Sequence, residues 1–511
     1  MKIFLQETFA VLRQCHCVAE ILPQCKYLDI SNTGHDVIMY DRPNENLEYI
    51  VTSLESLVHI DISGTNLAGI GSEDVYPGES DDMTVTDIPG LASRVNRPLE
   101  FLGLYNCAYD ACFRPRIPAK EITGHATEEQ ILTALQSYCA CERMMQKVLP
   151  DLFYVVASTG SSNIRKLFDL LIPAMKQHLE CAHIQLYGSG CIFHIMKEVP
   201  EELFDTKMKR KIIKLSMDVM CLYSDAVVLQ NFFCILKLFK ISDLLFESER
   251  LIIVLQYLLV QGYKNKPLVL VILLFLNDIA RQVDGVKKEL LSNRGLIPAI
   301  LEVVYKSLQY SVVREPQCDD IIKAAWETML VLIEEASDNG AIFIQGYGVD
   351  LFLLCLKLFP KEIELLLNML RILGNLAEVK KHRSHLIHDK YIVNFSPLLN
   401  HKNMEVSYNA ARIFSYIALE APWEGCKLRL NYPIYLQEMA VAILKWDLDA
   451  VFVSNYGSFK PALELLIAAE GIPEVQLWAI WTMANLARRE PVKYYKLLRD
   501  EKVLTALWNL W

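Results

Sequence analysis

The sequence predicts a mainly α protein: an armadillo/HEAT-like α-solenoid over residues 120–511, preceded by a short, truncated leucine-rich-repeat segment over residues 1–115. Three observations predict it. Near the start, a string approximating Leu-x-x-Leu-x-Leu recurs, closed each time by Asn or Thr. From about residue 128 apolar residues recur at helical spacing between short polar turns, and one eight-residue string in that part returns 41 residues later. At 511 residues the chain exceeds what one core usually supports, so an elongated array or several domains is expected.

The leucine-rich copies come first. Residues 22–33 hold Leu28-Asp29-Ile30-Ser31-Asn32-Thr33, and residues 57–66 hold Ile60-Asp61-Ile62-Ser63-Gly64-Thr65-Asn66. A shorter third copy spans residues 99–106, with Leu99, Leu102, Leu104 and Asn106. Alternate apolar residues on a short strand point inward, and Asn or Thr closes the turn. Leu28 and Ile60 lie 32 residues apart, a long repeat that extra turns on the helical side accommodate. Between the second and third copies, residues 72–98 are rich in Asp, Glu, Ser, Gly and Pro and predict a solvated acidic loop over about 70–98.

Helical periodicity then takes over. The apolar runs 251–260 and 267–276 fall far short of the roughly 18 residues of a membrane span and are separated by a polar break, which predicts two buried helices. Arg371-Ile372-Leu373-Gly374-Asn375-Leu376-Ala377-Glu378 aligns with Arg412-Ile413-Phe414-Ser415-Tyr416-Ile417-Ala418-Leu419, an offset typical of armadillo and HEAT units. A third copy, Trp481-Thr482-Met483-Ala484-Asn485-Leu486-Ala487, follows a longer loop. Its Trp and Asn, four apart on one helix face, are placed to flank a bound backbone.

Composition narrows the function. A 52% hydrophobic content excludes a disordered chain, and 61 acidic against 51 basic residues argue against a nucleic-acid partner. Only 21 Gly argue against phosphate-cradling loops, and 14 Cys without framework spacing suit a reduced protein of the cytoplasm or nucleus. Gln6 and Glu7 interrupt any signal-peptide core, and no membrane partner is expected. No nucleotide-binding, nucleophile-elbow or zinc-protease motif occurs, so a nonenzymatic protein without cofactor or metal is predicted. Cys15-His16-Cys17 and Cys139-Ala140-Cys141 have the wrong spacing for zinc modules and suit buried small hydrophobes. His382, His385 and His388, beside Lys380, Lys381 and Arg383, suggest a solvated basic face.

One polar constellation invites a ligand. Asn375 and Glu378 share a helix face near the helix end, and Glu334 occupies the corresponding place one repeat earlier. Two carboxylates and an amide oxygen suit an ammonium group, which offers three donors and no acceptor. The same residues also suit two solvated acids and an asparagine supporting a turn.

The segment Leu373-Gly374-Asn375-Leu376-Ala377-Glu378-Val379, then Ser384-His385-Leu386 and Glu405-Val406-Ser407-Tyr408-Asn409-Ala410-Ala411, resembles the Zyg-eleven/Zer family. So does Ser458-Phe459-Lys460-Pro461 leading into Val475-Gln476-Leu477-Trp478-Ala479-Ile480-Trp481. The resemblance implies a substrate receptor of a cullin-2 RING ubiquitin ligase, with elongin and cullin-2 as partners, that binds proteins with an exposed N-terminal glycine or other small residue. It further implies a pocket with a Trp and an Asp on one inner helix and an Asn and a Glu on the next. Asn375 and Glu378 match the second pair, whereas the Trp position carries Leu330 and the Asp position Glu334. By that resemblance the longer carboxylate would crowd or re-aim the amine, and loss of the aromatic wall at Leu330 would relax the preference for glycine over alanine or serine. The family's N-terminal docking box finds only a vague echo in residues 11–15, which suggests that an upstream segment is missing.

The groove is therefore expected to use Glu334, Asn375 and Glu378 for the amine, with Tyr408, Tyr416, Trp478 and Trp481 as further candidate lining. Alternatives are an armadillo adaptor indifferent to the N-terminus, and a transport-receptor-like binder of basic peptides, which would need a ladder of Trp–Asn pairs.

Overall fold

The computed structural model describes residues 2–4, 23–34, 36–71, 86–223, 226–262, 265–313, 318–420, 427, 431–449 and 458–510. The chain divides into two compact units, Met1–Glu247 and Ser248–Trp511.

The first unit opens with five parallel strands in chain order: β1 (Lys2–Phe4), β2 (Tyr27–Asp29), β3 (His59–Asp61), β4 (Leu99–Gly103) and β5 (Ala119–Thr123). Leu28 pairs with Ile60 and Ile60 with Leu102, the register that the inward alternation of apolar residues predicts. Leu28, Ile30, Ile60, Ile62, Leu102 and Leu104 fill a core against Leu47, Ile50 and Val51 of helix α1 (Pro43–Ser53). Asp29, Asp61, Gly103 and Thr123 stand in register across β2 to β5. The Asp29 and Asp61 carboxylates each accept from a backbone N–H two residues on, Ser31 and Ser63, at 3.0 Å. Gly103 makes room for Asp61, since a Cβ there would come within 1.9 Å of its Oδ1.

Two features differ from the sequence reading. Strand β5 extends the sheet past residue 115; its Ala-Lys-Glu-Ile-Thr sequence, half exposed, lacks the leucine signature. Within the expected acidic loop, residues 72–85 lie outside the described residues, but 86–98 are not solvated throughout. Arg94 is buried and its Nη2 donates to the Val51 and Leu54 carbonyls at 2.6 and 2.7 Å, satisfying the C-terminal end of α1. Residues 11–15 and the Cys15–Cys17 pair also lie outside the described residues.

Helices complete the unit: α2 (Glu128–Ser137), α3 (Glu142–Thr159), α4 (Ile164–Gln177), α5 (Ala182–Glu198), α6 (Thr206–Leu222), α7 (Ala226–Lys237) and α8 (Ile241–Leu244). Helix α2 packs on β5, and Tyr138 at its C-terminal end reaches back to donate to Asp61 at 2.9 Å. Cys139 and Cys141 are free thiols, and no metal-holding cluster of His, Cys, Asp or Glu occurs among the described residues.

The second unit repeats a helix triplet. After α9 (Ser248–Gln261) and α10 (Lys266–Arg281) come α11 (Gly285–Ser292), α12 (Leu296–Val313) and α13 (Asp320–Ile333), then α14 (Ser337–Gln345), α15 (Gly348–Leu358) and α16 (Ile363–Glu378). The next triplet is α17 (Lys380–Leu386), α18 (Asp389–Phe395) and α19 (Met404–Ala418), followed by α20 (Tyr432–Ile443), α21 (Lys460–Ala468) and α22 (Pro473–Arg489), and finally α23 (Pro491–Asp500) and α24 (Val503–Leu510). The last helix of each triplet packs on the last helix of the next, so α10, α13, α16, α19 and α22 form a ladder. Side-chain caps start three of them, Asn265, Asp319 and Asn403, each accepting from a first-turn N–H. Among the described residues no single helix is long and apolar enough to cross a membrane. Helices α14 and α15 pass that test only when taken together across a 70° bend, and they bury Phe343 and Phe352 in the repeat core.

Candidate functional site

The ladder presents one polar stripe. Helix α16 buries Leu365, Leu366, Met369, Leu370, Leu373 and Leu376, which leaves Glu364, Asn368, Arg371, Asn375 and Glu378 at three- and four-residue spacing on the other side. Helix α19 repeats the first part of it 41 residues on: Glu405, Asn409 and Arg412 stand where α16 has Glu364, Asn368 and Arg371. These residues, with Leu330 and Glu334 of α13 and Arg281 of α10, line a groove of about 1550 Å³.

The groove therefore brings together Glu334, Asn375 and Glu378, with Leu330 also in its lining. Glu334 is exposed at the C-terminal end of α13, and Glu378 is half-buried at the last residue of α16. The carbonyl end of a helix carries about half a negative charge, which adds to each carboxylate and favours a cation. Seven carboxylates line the groove against three arginines.

All three arginines are engaged by the neighbouring helix of the ladder. Arg281 reaches Glu327 at 2.8 Å, Arg371 reaches Glu405 at 2.6 Å, and Arg412 reaches Glu378 at 2.6 Å and Asn375 Oδ1 at 3.2 Å. Glu334 has no side-chain ion pair among the described residues. The sequence reading missed this lattice of pairs. The repeated Glu-x-x-x-Asn-x-x-Arg of 364–371 and 405–412 was its signal.

The aromatic candidates fall elsewhere. Tyr408, Tyr416, Trp478 and Trp481 are all buried and none lines the groove. Tyr408 stacks on Trp478 with ring centroids 5.4 Å apart, and Trp481 meets Trp446 edge-on at 5.0 Å, so the cluster cements α19 to α22. Asn485 is likewise buried, its Nδ2 donating to the Leu448 carbonyl at 2.6 Å. The Trp481–Asn485 pair is core, and a backbone-flanking role for it is not what the structure places there.

The basic face expected at 380–388 is also corrected at two positions. His382 is buried, with Nε2 2.9 Å from the Ser337 carbonyl, and burial pushes its pKa down. Arg383 is buried beneath the end of α16, where Nε donates to the Ala377 carbonyl at 2.8 Å and Nη2 to that of Glu378 at 3.1 Å. Its Nη1 reaches Glu420 at 3.0 Å, and the guanidinium lies 5.6 Å from the Tyr416 ring centre. Unpaired carbonyls at a helix end need a donor, and one arginine supplies three bonds at once. Arg383→Ala is expected to cost about 1–3 kcal/mol, the range for losing charged bonds to buried acceptors. A urea-unfolding midpoint measures it; an unchanged midpoint would show that the helix end needs no such cap.

Two family models match the chain, with bounds that differ from those of the two compact units. Residues 173–511 match a family model described as "Protein zer-1 homolog-like, C-terminal domain", and residues 4–107 match one described as "Zer-1-like, Leucine-rich repeats". Protein zer-1 homolog of Drosophila melanogaster is 33% identical, over 99% of this chain and 69% of its own length. Zyg eleven-related protein 1 of Caenorhabditis elegans is 31% identical over 96% of this chain and 54% of its own, and Protein zer-1 homolog of Homo sapiens 30% over 94% and 63%. The chain thus spans from about half to two thirds of the length of these relatives. Leucine-rich strands early in the sequence, a ladder of triplet helices later in it, and relatives that match 94–99% of this chain agree: the chain belongs to the Zer-1 family.

Proposed function

We propose that this chain is a nonenzymatic substrate-recognition subunit of a cullin-2 RING ubiquitin ligase, whose armadillo-type groove takes the free N-terminal amine of a protein beginning with a small residue. Binding there would direct that protein to ubiquitination and degradation. Family membership supports the reading, and one observation carries it: Glu334, Asn375 and Glu378 line one groove from the C-terminal ends of consecutive ladder helices. An ammonium set there gains charge-assisted bonds of about 1.5–3 kcal/mol each. Leu330, smaller than an aromatic wall, leaves space beside the amine, so discrimination between glycine and alanine is expected to be weak, within the roughly 10–200-fold that one methylene can supply. Elongin and cullin-2 belong to the proposal through the family resemblance.

Fluorescent peptides beginning with Gly, Ala, Ser or acetyl-Gly, titrated into the full chain, test it. Acetylation is expected to weaken binding about tenfold or more, which is at least 1.4 kcal/mol. Equal affinity for Gly and acetyl-Gly would remove the amine receptor. That result would favour the second reading, an armadillo adaptor without N-terminal recognition, for which one observation speaks: Arg412 already bonds both acceptors of α16.

A further inference from the structure

Arg412 holds the two groups that an incoming amine needs. Its Nη2 donates both to Glu378 Oε2 at 2.6 Å and to Asn375 Oδ1 at 3.2 Å, and its side chain is only 11% exposed. Gly374 admits it: a Cβ there would lie 3.0 Å from Nη1 and 3.2 Å from Cδ, so the arginine lies against the bare backbone of α16. A guanidinium and an ammonium compete for the same thing, an anionic oxygen partly withdrawn from water.

We propose that Arg412 is a tethered competitor for the amine site and a specificity-determining residue of the groove. The inference rests on the amine-receptor reading above. Arg412 neutralises Glu378 and fills the Asn375 acceptor; a peptide amine enters by displacing it or by sharing the carboxylate. Glu334, across on α13, then supplies the carboxylate that Arg412 does not hold. Only ligands whose ammonium outcompetes an intramolecular arginine bind, so Arg412 raises the threshold for weak N-termini. Arg281 and Arg371 differ in kind, since their partners Glu327 and Glu405 are not among the predicted amine acceptors.

Removing the competitor takes from Glu378 its side-chain ion pair and leaves Arg383, which bonds the backbone carbonyl, as the cation at that end of α16; a bound amine restores the lost pair. The experiment titrates Gly and acetyl-Gly peptides into the full chain carrying Arg412, R412Q or R412A, with an unfolding midpoint for each. R412A is expected to bind the Gly peptide about tenfold tighter or more, the effect of at least one charged bond, with R412Q between it and the parent. The acetyl-Gly peptide should not gain, and added salt should weaken the Gly complex of R412A more than that of the parent, because its site carries one more unscreened negative charge. Unchanged or weaker Gly binding by folded variants overturns the competitor while the parent's amine preference leaves the receptor standing. Gly and acetyl-Gly binding alike to all three forms removes the receptor and the competitor together. If R412A does not fold, R412Q, which keeps a neutral donor to Glu378, decides.

Discussion

Trp478→Ala is expected to destabilise the unit Ser248–Trp511 by about 3–5 kcal/mol, the range for truncating a buried large aromatic. Trp478 is 1% exposed, stacks on Tyr408, meets Tyr416 at 6.4 Å and donates from Nε1 to the Tyr408 carbonyl at 3.4 Å. Its removal opens a cavity between α19 and α22 and orphans contacts that the triplets on either side cannot regain. In a repeat array such a loss falls on one nearest-neighbour interface, so the last triplet is expected to melt separately and early. Urea titration followed by circular dichroism resolves the two transitions. Peptide affinity measured below the first transition is expected to stay near that of the parent. A variant that keeps its melting profile but loses peptide binding would return Trp478 to the groove wall.

Asp61→Asn is expected to stabilise the first unit by about 3 kcal/mol at neutral pH, from a shift of about two units at ~1.4 kcal/mol each. Burial, and then the charge of Asp29, push the Asp61 carboxyl up to about 6 from 3.8, while bonds from Ser63 and Tyr138 pull the other way. The folded chain binds this proton more tightly than the unfolded chain. The cost of ionised Asp61 is therefore absent below about pH 4, grows between 4 and 6, and is complete above 6. Asparagine keeps an acceptor for the Ser63 N–H and removes the charge. The Tyr138 hydroxyl, 2.8 Å from Ser63 Oγ and 3.1 Å from Thr123 Oγ1, has other partners to turn to. The difference in unfolding free energy between variant and parent should shrink toward zero as pH falls from 7 to 4. A difference independent of pH would show that Asp61 is not the titrating group.

What the sequence revealed depended on whether a pattern was local. Leu28, Ile60 and Leu102 were legible because strand alternation admits only one register that buries them all. Asn375 and Glu378 were legible because three-residue spacing puts them on one helix face. Arg412 appeared in the repeat alignment as the equivalent of Arg371, yet its partner sits on the preceding ladder helix, a contact that equivalence does not show. The aromatics misled because a large ring at a ladder position fits either a groove wall or an inter-helix core, and only packing separates the two. His382 and Arg383 misled because a run of charges resembles a solvated face, whereas His382 turns in to the Ser337 carbonyl at the start of α14 and Arg383 to the carbonyls at the end of α16.

The arginine–glutamate pairs of the groove also have a mechanical meaning. Arg371 and Arg412 bridge α16 and α19 in opposite directions, each a strut from one triplet to the next. If a ligand unseats one strut, the two triplets lose a tie, and by linkage a distortion that breaks the same tie changes ligand affinity. Occupancy and flexural stiffness become one variable, so tension or torque on the helical unit would tune what its groove holds.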